Sequence, residues 1–266
     1  MGVITPRQAL SLYGTANPFV SAEALRYSNY SAPAGPALVR LLDWQRPAAR
    51  AVLADRAIRA FILGPTFSCV AGKAAVSAGG YRFGYYPGFS DLRAAEGLAR
   101  DLAAFVAEQT FIPSPYTTFV AVFDEPASGD ERWFETQLWQ YLQRLADLGS
   151  LHYDWDKAAS TDATASNFAF SFAGQAFFVV GMHQRSSRLT RRFSSPVLVF
   201  NTHRQFDDAR KSGRFQRIQG LVRAREMDLQ GSINPELREF GVSSEARQYA
   251  GRRTEEEWKC PFRPPS

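Results

Sequence analysis

The chain has 266 residues, enough for one large domain with a substantial core, and its 45% hydrophobic and 21% charged residues suit a globular enzyme. A net charge of +5 leaves anionic ligands open, while two cysteines are too few for a disulfide scaffold or a four-ligand zinc site. The start, MGVITPRQALSLYG, has no charged segment leading into a long apolar run, and no stretch reaches about 18 uninterrupted apolar residues, so a cytoplasmic protein without a membrane span is expected.

In chain order, residues 1–35 mix Pro, Ser, Ala and Tyr without periodicity and read as an irregular arm. Pro36 to Ala60 has helical spacing, with Leu38, Leu41, Leu42, Val52 and Leu53 on one face. Phe61 to Gly88, rich in Gly and aromatics, reads as loop and short elements. Ser90-Asp91 caps a helix expected to run to about Thr110. Tyr116 to Phe123 reads as a strand and Asp130 to Leu148 as an amphipathic helix. Phe168–Phe172 and Ala176–Met182 read as a hairpin about Ala173-Gly174. Val197–Phe200 is a further strand, followed by a helix from near Thr202 to about Lys211. Gly231 to Gly241 reads as a structured loop. Irregular alternation with a hairpin predicts an α+β fold: a mainly antiparallel sheet packed with helices in a single domain.

The segment FFVVGMHQRSSRLTRRFSSPVLVFNTHRQF, Phe177 to Phe206, carries most of the chemistry. His183 and His203 each follow a buried-strand pattern, and Arg185, Arg188, Arg191 and Arg192 lie between them. Imidazoles at strand ends beside fixed positive charge suit heme, with histidine on iron and Arg188, Arg191 and Arg192 on the propionates. His203, at a helix start and expected to be held by Asn201 and Asp207, leads as iron ligand; His183 follows. If the two strands pair as a hairpin, the histidines sit at opposite ends of the sheet; if the 184–195 segment crosses over and they run parallel, both lie at the C-terminal edge. Against this stands the ordinary role of a lone histidine as a hydrogen-bonded structural residue. His152, beside Asp154 and Asp156, reads as a solvated helix-end group.

Cys69 and Cys260, each near phenylalanine, are either small hydrophobes or alternative thiolate ligands meeting in one site. Asp124, Glu125, Glu236 and Glu245 are acids that could seat a cationic substrate. From His183 to Arg225 the chain carries eleven basic and two acidic residues, a net +9, with Phe193, Phe206 and Phe215 interleaved. A nucleic-acid binding module is therefore a competing reading, though several of these arginines fall where the fold should pack inward. The Gly72–Ala75 stretch lacks P-loop spacing, and neither a dinucleotide fingerprint nor GxSxG occurs.

Several segments resemble the YqcI/YcgG family: FSCVAGKAA (Phe67–Ala75), RFGYYP (Arg82–Pro87), FSFAGQAFFVVGMHQRSSRLTRRF (Phe170–Phe193), VFNTHRQFD (Val199–Asp207), LQGSINPELREFGVSSEARQYAGR (Leu229–Arg252) and WKCPF (Trp258–Phe262). The family's FPC motif reads Phe67-Ser68-Cys69 here, and its His-Pro reads His183-Gln184. Its characterised members are heme-dependent guanidine N-oxygenases, such as the arginine N-hydroxylase of D-cycloserine biosynthesis. The resemblance implies a heme b (protoheme IX) enzyme of antibiotic or other natural-product biosynthesis. It would hydroxylate a guanidine nitrogen of L-arginine or an arginine-like amino acid with O₂ and a separate electron donor. On this reading residues 36–262 form the heme-binding N-oxygenase domain and 263–266 a tail, with homo-oligomer formation open. A non-catalytic heme carrier or sensor is the remaining alternative.

Overall fold

The computed structural model describes residues 17–124, 129–234, 236 and 243–265. Residues 1–16 of the expected arm, Glu125 and most of the loop from 231 to 241 lie outside the described residues.

A seven-stranded sheet forms the centre. Its strands are β1 (Ser31–Ala34), β2 (Ala37–Arg40), β3 (Tyr81–Tyr86), β4 (Thr118–Phe123), β5 (Phe170–Phe172), β6 (Gln175–Met182) and β7 (Val197–Thr202), in spatial order β2-β1-β3-β4-β7-β6-β5. Only β3 and β4 run parallel; every other neighbouring pair is antiparallel. The expected α+β fold with a mainly antiparallel sheet is what the chain forms.

Strand alternation divides the core into two faces. One face gathers Phe119, Ala121, Phe123, Phe177, Val179, Leu198 and Phe200. It is covered by α4 (Ala95–Glu108) and α5 (Glu131–Ser150), whose Leu98, Leu102, Phe105, Phe134, Leu138 and Leu142 are fully buried. The other gathers Val120, Val122, Met182, Val197 and Val199 with Ile58 and Ile62 of α2 (Ala49–Leu63). Also on this side are α3 (Val70–Ser77), α6 (His203–Lys211) and α7 (Arg214–Gln230), with α7 packed against both α3 and α6.

Residues 17–35 are not irregular. They hold α1 (Ala22–Tyr27), packed on α4, and β1. Gly97 permits that packing, because a Cβ there would lie 2.4 Å from the Tyr27 backbone. A six-residue helix and a four-residue strand are too short to show a period, which is why the sequence pattern is silent. The expected helix from Pro36 begins only at Ala49; Leu38 lies in β2 and Leu41 just past it. The helix predicted from Ser90-Asp91 begins as a 3₁₀ turn at Leu92, capped by Asp91, and continues as α4. Burial and pairing also fix buried charge here. Arg82 and Glu108 form an inward ion pair that also receives the Tyr30 hydroxyl at 2.6 Å. The tail is tied down, with Arg263 N donating to Gln143 Oε1 of α5 at 2.8 Å.

Candidate functional site

The register of β6 against β7 pairs Phe177 with Thr202 and Met182 with Val197. His203 and His183 therefore stand at opposite ends of this strand pair, on the order of 20 Å apart at about 3.4 Å per residue. One site cannot use both.

His203 is the first residue of α6 and enters a cleft between α3, α6, α7 and the C-terminal segment. The cleft holds about 1050 Å³ of empty space, part of it open to solvent. Its walls are mostly apolar: Phe178, Phe206, Phe215, Ile218 and Val222, with the Cys69 thiol and Tyr116 at one side. A cleft that is apolar with few polar groups is the usual form of a cofactor or ligand site.

The polar groups are specific. His203 Nε2 lies 3.1 Å from Glu245 Oε1, and both side chains are largely buried. The same oxygen accepts the Tyr249 hydroxyl at 2.5 Å, and Tyr249 Oη accepts Phe170 N at 3.0 Å. The Tyr249 hydroxyl is held protonated by burial, with the Glu245 charge acting in the same direction. A carboxylate can only accept, so His203 Nε2 is the donor of this bond. This carboxylate–histidine arrangement is the one that orients metal-bound imidazoles. Asn201 and Asp207, expected to hold His203, do other work: Asn201 Nδ2 donates to Phe178 O at 3.3 Å and Asp207 accepts from Arg210 at 2.7 Å.

Two guanidinium groups belong to the cleft, Arg210 and Arg223. Arg210 lies over the Phe215 ring, 4.7 Å from its centroid. Arg223 forms no ion pair or hydrogen bond with any described residue. The arginines expected at the propionates lie elsewhere. Arg188 is buried and paired with Glu226, and its guanidinium also donates to Ser232 O at 2.8 Å. Arg191 is buried against the Tyr249 carbonyl at 3.0 Å. Its guanidinium pKa is pushed down to about 10 by burial. Arg192 is exposed, with Nε donating to Ser186 O at 2.9 Å. Arg188 and Arg191 staple the 183–195 connection to the fold, and Arg192 braces it internally.

His183 is fully buried, stacked on Phe134 with centroids 4.3 Å apart at 15°. Neither ring nitrogen has a hydrogen-bond partner among the described residues. Burial pushes its imidazole down to about 4, so it is neutral. His152 sits at the end of α5, edge-on to Phe19.

Cys69 caps α3, its sulfur accepting from Gly72 N at 3.4 Å, on the face with Phe67 and Phe193. Cys260 packs on the opposite face with Phe262. The two cysteines therefore do not share a site. Burial raises both thiols, Cys260 to about 12.

Of the expected substrate acids among the described residues, only Glu245 reaches the cleft. Asp124 pairs with Arg50 at 2.9 Å on the surface, and Glu236 accepts from Thr254 N and Oγ1 at 3.0 and 2.9 Å. The aromatics proposed for base stacking point inward, Phe206 and Phe215 into the cleft and Phe193 into the core. The cleft wall formed by α7 was missed. Its signal was present: Phe215, Ile218 and Val222 at helical spacing between Gly213 and Gly231, both left-handed at φ 68° and 67°.

Among the described residues no three His, Cys, Asp or Glu side chains gather as a metal cluster, and no helix is long and apolar enough to cross a membrane. A heme iron needs one protein ligand rather than a cluster. The donor set of the cleft fits heme: an imidazole braced by a carboxylate, apolar walls for the ring, and two guanidinium groups for the propionates.

Residues 58–263 match the model of the YqcI/YcgG family. No curated protein and no solved structure matches the chain.

Proposed function

The chain belongs to the YqcI/YcgG family, and from that premise we propose that it is a heme-dependent N-hydroxylase acting on a guanidine nitrogen of L-arginine or an arginine-like amino acid. One observation carries the reading: an apolar cleft in which His203 is braced by Glu245 and two arginines, Arg210 and Arg223, share the walls.

His203 would hold the iron, with Glu245 fixing the orientation of its ring. Arg210 and Arg223 would neutralise the propionates, a role for which fork-shaped guanidinium donors are suited. Heme, when bound, supplies the reductive activation of dioxygen. The chain's own residues supply the rest. Phe178, Phe206, Phe215, Ile218 and Val222 exclude water, which strengthens every polar contact inside. A substrate guanidinium is protonated at neutral pH and cannot accept a hydrogen bond. It needs acceptors to hold it, and the lining offers the Glu245 carboxylate and the amide oxygens of Gln219 and Gln248. The overall conversion of a guanidine nitrogen to its N-hydroxy form consumes O₂, two electrons and two protons, and releases water.

The test is reconstitution with hemin. The wild type and His183→Ala should give a Soret band with an imidazole-type EPR spectrum, and His203→Ala should lose it. Oxygen uptake by the reduced protein should be stimulated by L-arginine, with N-hydroxyarginine detected by mass spectrometry. A wild-type protein that takes up no heme ends the assignment. Heme binding without arginine-stimulated uptake reassigns the chain as a carrier or sensor.

A further inference from the structure

Resting on that reading, we propose that the outer face of α7 is the docking surface for a small acidic electron-transfer protein. N-hydroxylation needs two electrons from outside the chain. Two cysteines cannot supply the four ligands of an iron–sulfur cluster, and the sequence has no dinucleotide-binding fingerprint.

The helix has two faces with opposite duties. Phe215, Ile218 and Val222 turn inward and form a wall of the cleft. Arg214, Arg217, Leu221 and Arg225, spaced three and four residues apart, stand together on the exposed side. Leu221 is 45% exposed at the centre of this stripe, with Arg217 and Arg225 one turn to either side. Lys211, at the end of α6, extends the same charge.

The charge is concentrated: between Ala209 and Arg225 the chain has six basic residues and no acidic one, with exposed Asp207 and Asp208 before this stretch and Asp228 after it. The side chains of Lys211, Arg217 and Arg225 form no ion pair or hydrogen bond with any described residue, and that of Arg214 spends only Nε on Ser212 Oγ at 2.9 Å. Uncompensated like charge on one helix face is costly unless a partner of opposite sign meets it, and such a field steers that partner in at high rate. An apolar residue within a charged rim is the composition of a small transient interface. The location gives the partner its class, because one helix diameter, about 10 Å, separates this face from the cleft. Nucleic acid fits less well, since Phe206 and Phe215, the nearest stacking groups, are half-buried and line the cleft rather than the outer face of α7.

In each encounter the partner's reduced centre would give up one electron to the heme that His203 would hold, with no atom exchanged, and two encounters would supply the two electrons that the overall conversion consumes.

A plant-type [2Fe–2S] ferredoxin, which is acidic, is the probe. Hemin-loaded wild type is compared with Arg217→Glu/Arg225→Glu and with the uncharged Leu221→Ser, all exposed positions outside the cleft lining. Reduction by ferredoxin at low salt should slow about tenfold or more in the charge-reversed protein and fall with salt in the wild type, while reduction by dithionite stays unchanged. Calorimetric binding of oxidised ferredoxin to the heme-free chain should show the same loss, a readout that does not depend on heme. Equal ferredoxin rates and affinities in wild type and variants overturn the proposal. So does wild-type binding of a single-stranded oligonucleotide, but not ferredoxin, that the double variant loses. Ferredoxin binding by a chain that takes up no hemin would sink the oxygenase reading instead and leave the docking face standing.

Discussion

The Tyr249 hydroxyl and the His203 imidazole meet on a single carboxylate oxygen, Glu245 Oε1, at 2.5 and 3.1 Å. Tyr249 is itself anchored to the sheet through Phe170 N. The ring orientation of His203 is thus set by a chain of buried hydrogen bonds running from β5 to α6. Glu245→Gln keeps the volume and weakens the acceptor. It should lower hemin affinity by about 10–100-fold, the usual cost of losing a partner that orients a metal-bound imidazole. Tyr249→Phe should act through the same oxygen, so the two substitutions combined should cost less than the sum of each alone. Hemin titrations followed by absorbance measure both effects. Unchanged affinity in Glu245→Gln would make the chain of bonds purely structural.

Arg188 tests the difference between a ligand-binding arginine and a structural one. Its partner Glu226 is buried and also accepts Ser68 Oγ at 2.8 Å and Thr190 Oγ1 at 3.0 Å, so the pair ties α7 to the 183–195 connection and to the start of α3. Arg188→Ala strands a buried carboxylate and should destabilise the protein by about 3–5 kcal/mol. Replacing both members, as Arg188→Met with Glu226→Leu, should recover most of that loss. Urea unfolding measures the stability. A near-neutral Arg188→Ala whose only defect is heme affinity would return this arginine to the propionates.

The sheet was legible because its central strands are buried on both faces and read as apolar runs, as in Thr118–Phe123 and Val197–Thr202. The hairpin showed itself through Ala173-Gly174, where both residues take positive φ. The position of His203 was legible because a strand pattern ends just before it and a helix begins there. The rest depended on side-chain direction. Arg188 and Arg191 look like surface charge in a one-dimensional string, yet a carboxylate more than thirty residues away and a backbone carbonyl draw them inward. Glu245 stood among four acids with nothing local to single it out, since its partner lies 42 positions earlier. Arg210 and Arg223 were counted within the basic stretch, but only the packing of α6 against α7 brings them to one cleft.

His183 should give the protein a measurable acid sensitivity. Its folded-state pKa of about 4, lowered mainly by burial, lies below the ordinary value of about 6.5. Between those values the unfolded chain binds a proton that the folded chain does not. Its contribution to stability is therefore complete above about pH 6.5 and is lost as the pH falls towards 4, by on the order of 3 kcal/mol in full. Glu131 and Asp130 moderate the effect and Arg191 adds to it. His183→Phe, which preserves stacking on Phe134, should flatten this part of the profile. Thermal melts of both proteins from pH 7.5 to 4.5 provide the comparison, and parallel curves would show that His183 is not the group responsible.

Cys69 lines the cleft and is the strongest rival to His203 for the iron. Its chemistry argues against it. A ligating or reactive thiolate needs electropositive, partly hydrated surroundings. Burial instead raises the Cys69 thiol, the Glu226 charge acts in the same direction, and Arg191 and the Gly72 amide only partly oppose them. Its sulfur is also occupied as the cap of α3. The thiol should therefore be neutral at pH 7.5 and slow to react with iodoacetamide in the native state, with alkylation accelerating on unfolding in urea. Cys69→Ser keeps a capping oxygen and should leave the reconstituted absorption and EPR spectra of the imidazole type unchanged. Cys260→Ser, on the far face of the sheet, should do the same. A thiolate-type spectrum in the wild type that Cys69→Ser abolishes would move the iron ligand from α6 to the cap of α3, and would leave Glu245 bracing a histidine that binds no metal.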